Sequence, residues 1–154
     1  MSAINNSKNF NPRTKNGAKG KEIFDPVRKK FVSLTPEEWV RQQVIHLLLT
    51  HQQVPASHIG VETAITYNGC NYRADIVVYN RAAEPMLIVE CKAEHIPITQ
   101  TTFDQIARYN ITLKVPFLYV SNGQQHYFCR FDSDTQQYVF ESKMPLYNKM
   151  LLLF

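Results

Sequence analysis

No apolar run in this sequence reaches the roughly 18 residues that a membrane-spanning helix needs. The N-terminus is polar and basic, unlike a signal peptide. Cysteine is scarce: Cys70, Cys91 and Cys129 are odd in number, far apart and outside any metal-ligand spacing. A reduced, cytoplasmic setting is expected from this. A working phosphate loop is lacking as well. Gly17-Ala-Lys-Gly-Lys21-Glu22 has the wrong spacing and no Ser or Thr after its lysine, so no nucleotide is expected to bind there. Repeats and a second domain are also absent. What is present is ordinary for one globular domain: 154 residues, 44% hydrophobic and 19% charged. A chain of this length buries about 68–70% of its unfolded surface without cross-links.

The net charge of +4 hides an asymmetry. Residues 1–30 carry eight Lys or Arg against Glu22 and Asp25, whereas the remainder is slightly acidic. Residues 1–20, rich in Asn, Ser, Lys and Gly, have little to bury and are expected to be disordered. The division drawn is therefore a basic leader over 1–30 and a folded domain over 31–154. Short extended pieces are expected within Glu22–Val27 and Lys29–Val32. The leader reads either as a site for a polyanion or as a solvated tail.

Thr35-Pro36-Glu37-Glu38 is a helix start, with Thr35 as N-cap, Pro36 in the first turn and Glu38 completing a capping box. Val40, Val44, Leu47 and Leu48 form one stripe to about Leu49 or His51. His46 and His51 read as surface residues of this helix. A strand over His58–Tyr67 turns at Asn68-Gly69, a hairpin signal, into a second strand that carries Asp75. After a loop, a helix from about Thr99–Thr102 to Leu113 buries Phe103, Ile106 and Ala107. Val115–Val120 reads as a buried parallel strand. Gln125–Phe131 and Gln137–Glu141 follow as further strands. The apolar tail from Met144 reads as a last helix or as the edge of a larger interface.

The chain is organised around Tyr72–Lys92. Two strands, Tyr72–Tyr79 and Met86–Lys92, flank a turn at Asn80–Pro85. Alternation puts Ile88, Glu90 and Lys92 on one face. Opposite charges on a half-buried strand are costly unless paired or used. If the strands are neighbours, Asp75 lies beside Glu90, and two carboxylates with an ammonium suit a divalent metal and an attacking water. A structural ion pair of Glu90 with Lys92 or Arg73 is the bland alternative.

Asp75, fourteen intervening residues and Glu90-x-Lys92, followed by Gln105-Ile-Ala-Arg-Tyr109, resemble the PD-(D/E)xK nuclease superfamily. The N-terminal nuclease domain of the type I restriction enzyme restriction subunit is the nearest resemblance, over roughly residues 35–130. Arg73-Ala74-Asp75 replaces the Pro-Asp pair of the superfamily name. The resemblance implies a restriction-endonuclease-like α/β core, a mixed sheet flanked by helices in αβββαβ order. It implies metal-dependent DNA hydrolysis with Mg²⁺ or Mn²⁺ held by Asp75, Glu90 and the backbone carbonyl of Cys91. Lys92 would orient the water, and Gln105 and Tyr109 would position Lys92 or the DNA. Glu38 has two readings, the helix cap and an additional metal ligand. DNA contacts are expected from Lys19, Lys21, Arg28, Lys29, Lys30 and Arg73. DNA is the expected partner, with other restriction-system subunits; an inactive binding or interaction domain is the alternative.

Overall fold

In the computed structural model, which describes residues 9–153, the chain builds two sheets and three α-helices. The smaller sheet is an antiparallel meander of β1 (Thr14–Gly17), β2 (Gly20–Asp25) and β3 (Lys30–Ser33). The helix α1 (Pro36–Thr50) follows. Then come β4 (Ile59–Tyr67), β5 (Cys70–Tyr79), β6 (Pro85–Cys91), α2 (Gln100–Ile111), β7 (Phe117–Ser121), β8 (His126–Asp132), β9 (Gln137–Glu141) and α3 (Tyr147–Leu152). The strands β4 to β9 form one six-stranded sheet in chain order. Its β6–β7 pair alone is parallel, with α2 as the crossover. No described helix is long and apolar enough to cross a membrane.

The local chemistry explains these elements. The Thr35 hydroxyl accepts the Glu38 N–H at 3.0 Å and starts α1 with Pro36 in its first turn. Asn68 and Gly69 both take positive φ, 51° and 75°, as a tight hairpin turn requires. Asn80 Oδ1 accepts the N–H groups of Ala82 and Glu84, closing the β5–β6 loop. Thr99 caps α2.

Two apolar layers sandwich the large sheet. On one face α1 packs Val40, Val44, Ile45, Leu47 and Leu48 against Leu87, Val89, Phe117 and Tyr119, and α3 adds Tyr147 and Met150. On the other, Phe103 and Ala107 of α2 cover Ile88, Leu118 and Val120. Each aliphatic side chain buried this way contributes about 1.5–3 kcal/mol. That surplus lets α1 carry Glu38, Arg41 and Gln42, all buried, into the interior.

The expectation of a disordered leader over 1–30 does not hold from Thr14 onward; residues 1–8 lie outside the described residues. Ile23 and Asp25 are fully buried. Phe24 and Phe31 pack edge to face at 5.3 Å, with the Arg13 guanidinium 4.8 Å over Phe24 and the Lys15 ammonium 4.3 Å over Phe31. The basic side chains thus cover a pair of aromatic rings, and their stems add to its burial. If the meander belongs to the cooperative core, Ile23→Ala should cost about 2–5 kcal/mol in urea unfolding. A loss below about 0.5 kcal/mol would instead mean an independent appendage.

Candidate active site at the fork of two strands

The hairpin β4–β5 turns over partway along its length. Val61 faces its partner Ile76 in the layer under α1, whereas Ile65, Tyr72 and Ala74 pack in the layer under α2. Residues two or four apart on one strand normally share a face, so the ribbon rotates between these pairs. The break falls at Glu62 and Asp75, which face one another between the pairs Val61–Ile76 and Thr63–Ala74 but do not pair. Glu62 has a φ of 50°, a left-handed conformation that costs a non-glycine residue about 1–2 kcal/mol. The β5–β6 ladder also ends here, at Ile76–Val89. Asp75 and Glu90 are the first residues of the fork where these strands part.

The Asp75 carboxylate fills the gap in the ladder. Its Oδ2 accepts the Cys91 N–H at 2.8 Å and its Oδ1 accepts Arg41 Nη2 at 3.0 Å. Glu90 lies within hydrogen-bonding reach of Asp75. Burial, then the charge of Asp75 and the bond to it, push the Glu90 carboxyl up to about 8, although Lys92 pulls the other way. Near neutral pH the protonated form of Glu90 is therefore the favoured one. Cys91 points its buried thiol into the α1 layer, and burial pushes that thiol up. Lys92 is half-buried; its N–H continues the parallel ladder to Ser121 O at 2.9 Å, and its side chain makes no salt bridge among the described residues.

Behind the fork lies a charge network. Arg41 pairs with Glu38, Glu37 (3.3 Å), Glu62 (3.5 Å) and Asp75. Arg28 pairs with Asp25 (2.7 Å), Glu38 and Glu62 (3.5 Å). Burial alone would raise Asp25, but hydrogen bonds from Arg28, Gln42 and Val27 outweigh it and hold the carboxyl below its ordinary value. Burial and the neighbouring Asp75 raise Glu37. Burial would lower Arg41, but Glu38 and Asp75 more than offset it. A groove of about 720 Å³ opens beside the network, lined by Lys30, Phe31, Glu37, Arg41, Glu62 and His95 among others.

Asp75 and Glu90 stand opposite one another where the β5–β6 ladder ends, and Lys92 follows two residues after Glu90. Glu38 is neither half of a reciprocal capping box nor open to a metal. Thr35 N–H goes to Ser33, and the Glu38 carboxylate is held by Arg28 and Arg41. Arg28, expected on DNA, is spent inside the network, with its side chain 17% exposed. Lys19, Lys21, Lys29 and Lys30 are exposed, and so is Arg73, which pairs with Glu62 at 3.2 Å. Gln105 and Tyr109 are exposed and make no hydrogen bond to Asp75, Glu90 or Lys92. The Tyr109 hydroxyl accepts the Arg73 N–H at 3.3 Å, and its ring meets Tyr72 at 5.1 Å. Sequence reasoning missed Arg41 and Glu37. Arg41 stands three residues after Glu38 and four after Glu37 on one helix, and that spacing was the available signal.

The sequence profile of the family described as the type I restriction enzyme R protein N terminus (HSDR_N) matches residues 36–145. The chain belongs to this family. The R-protein match begins at the first residue of α1 and ends before α3, so it takes in the large sheet and the fork and leaves the meander outside. Among solved structures, the chain is similar to a fragment assigned to an HsdR subunit of a type I restriction enzyme from Vibrio vulnificus YJ016. The two are 23% identical, with a TM-score of 0.44, over 72% of this chain and 25% of that one. This chain thus spans about a quarter of that protein's length. No curated protein matches it.

The raised Glu90 carboxyl has a thermodynamic signature. Its folded pKa lies above the ordinary 4.5, so over that window the folded state holds a proton that the unfolded state has lost. Stability in chelator should then fall as pH rises from 4.5 to about 8, by at most about 1.4 kcal/mol per pH unit from this group. Glu37, also raised, adds to the trend. Glu90→Gln should flatten the fall and leave the chain more stable than wild type at pH 8. Parallel stability curves for the two proteins would contradict a raised Glu90.

Proposed function

We propose that this chain hydrolyses phosphodiester bonds in DNA, as an endonuclease or nickase of a restriction system, through a PD-(D/E)xK site at Asp75, Glu90 and Lys92. The observation that carries the reading is the pair of carboxylates meeting at the strand fork with Lys92 two residues on. The family membership supports the restriction context, and the mixed sheet with helices on both faces suits a restriction-endonuclease-like core. Other restriction-system subunits are the natural protein partners.

The donor set fits Mg²⁺ or Mn²⁺. Among the described residues no three His, Cys, Asp or Glu stand close enough to hold a metal by themselves. Two hard carboxylates suit a cation that keeps several waters and takes its remaining ligands from substrate phosphate. Burial and the charge of Asp75 raise the Glu90 carboxyl, a strain that a cation between the two would relieve. Asp75, Glu90 and the Cys91 carbonyl would hold the ion, which when bound lowers the pKa of a water and polarises the scissile phosphate. Lys92 would orient that water and offset charge developing on the phosphate. Tyr109, beside Tyr72 and Arg73, is better placed to steady the ribbon or the DNA than to touch Lys92. Exposed Lys19, Lys21, Lys29 and Lys30 would meet backbone phosphates through counterion release, Lys30 from the rim of the groove.

One observation favours a binding domain whose cleavage is weak or lost: Asp75 is already ion-paired to Arg41. Supercoiled plasmid separates the two. With Mg²⁺, wild type should nick it, and Lys92→Ala should lower the rate by about 10²-fold or more while leaving DNA binding in Ca²⁺ within about twofold. Equal nicking by both proteins would remove the assigned site. Binding without nicking by either would select the second reading.

A further inference from the structure

Arg41 is the one residue of the network that reaches the fork from α1. Its side chain is 9% exposed. One terminal nitrogen serves Glu38 and Glu62; the other is divided between Glu37 at 3.3 Å and Asp75 at 3.0 Å. Its Nε is buried and has no hydrogen-bond partner among the described residues. A guanidinium offers five N–H donors in a fixed fork, and leaving a buried one unused is a cost that folded proteins seldom accept. The group is therefore held here by the charge around it, at the expense of its own hydrogen-bonding geometry.

We infer that Arg41 competes with a divalent cation for the Asp75 carboxylate and gives up that carboxylate when the cation binds. The inference rests on the reading of Asp75 and Glu90 as cation ligands. Arg41 Nη2 stands 3.0 Å from Asp75 Oδ1, and a Mg²⁺ on that carboxylate sits about 2.1 Å from its oxygen. Bound together on one oxygen, the two cations would lie roughly 5 Å apart at most, in a partly buried place where repulsion is weakly screened. Each must weaken the other, and by the same factor. Release need not strand the guanidinium, because Glu38 and Glu62 hold its other terminal nitrogen. Arg41 is thus a positioning residue, and cation binding at the fork is linked to the seat of α1.

The test is Mn²⁺ calorimetry at pH 8 on wild type, Arg41→Gln and Glu90→Gln, with thermal melts in chelator and in saturating Mn²⁺. Arg41→Gln should bind Mn²⁺ roughly tenfold tighter than wild type yet melt lower in chelator, with Mn²⁺ narrowing the gap; a residue that only braces the fold would lose affinity along with stability. Equal or weaker binding by Arg41→Gln, with wild type binding and Glu90→Gln not, overturns the role of Arg41 and leaves the cation reading standing. No binding by any of the three overturns both. If Arg41→Gln does not fold, the wild-type Arg41 Nε–H signal, assigned by its loss in Arg41→Lys, is followed by ¹⁵N NMR as Mg²⁺ is added. It should shift in wild type and stay fixed in Glu90→Gln. An unmoved signal in wild type overturns the inference.

Discussion

The Asp75 carboxylate is the joint on which the structure depends. It takes the Cys91 N–H that the parting of β5 and β6 leaves open, and it takes the guanidinium that α1 delivers. Without the first bond the fork would expose an unpaired backbone donor in a half-buried place, at a cost of about 1–3 kcal/mol. Without the second, a carboxylate would sit beside Glu37, Glu62 and Glu90 with no guanidinium opposite it. The same two bonds fix where Glu90 lies. The ladder geometry, the rotation of the β4–β5 ribbon and the seat of α1 all converge on this one side chain.

Charge explains why so polar a cluster is tolerated. Desolvating an ion costs several kcal/mol unless it is paired and hydrogen-bonded, and five carboxylates around two arginines leave negative charge in excess. The excess is handled locally: Asp25 is satisfied by four donors, Glu38 is bridged by both arginines, and Glu90 keeps a proton. The strained φ of Glu62 belongs to the same compromise, since it turns the ribbon so that Asp75 faces the fork.

Much of this was legible in the sequence, and the reasons are local. Continuous apolar runs such as Met86–Val89 and Phe117–Val120 can only be buried strands. Thr35-Pro36 and Asn68-Gly69 admit few backbone conformations, so α1 and the hairpin were placed within a residue or two. Asp75 and Glu90 met because the turn between their strands sets the register. The meander was misjudged because its apolar content is small and its lysines suggested solvent; Asp25 is tied to Gln42 of α1, 17 residues on, a contact that no local pattern reveals. The side-chain partners of Glu38 and Arg28 were likewise out of reach. They bridge elements 10 and 34 residues apart, while a capping box explains Glu38 from its neighbours alone. Helical spacing set Gln105 and Tyr109 near one another, but not which part of the fork they approach, because the ribbon's rotation intervenes.

The central claim is that the fork of β5 and β6 is a place for a divalent cation held by Asp75 and Glu90. Anomalous diffraction from crystals soaked in Mn²⁺ tests it most directly. A peak between the Asp75 and Glu90 carboxylates, absent from Glu90→Gln crystals, is the predicted result. A fork that stays free of anomalous density at saturating Mn²⁺ would contradict it.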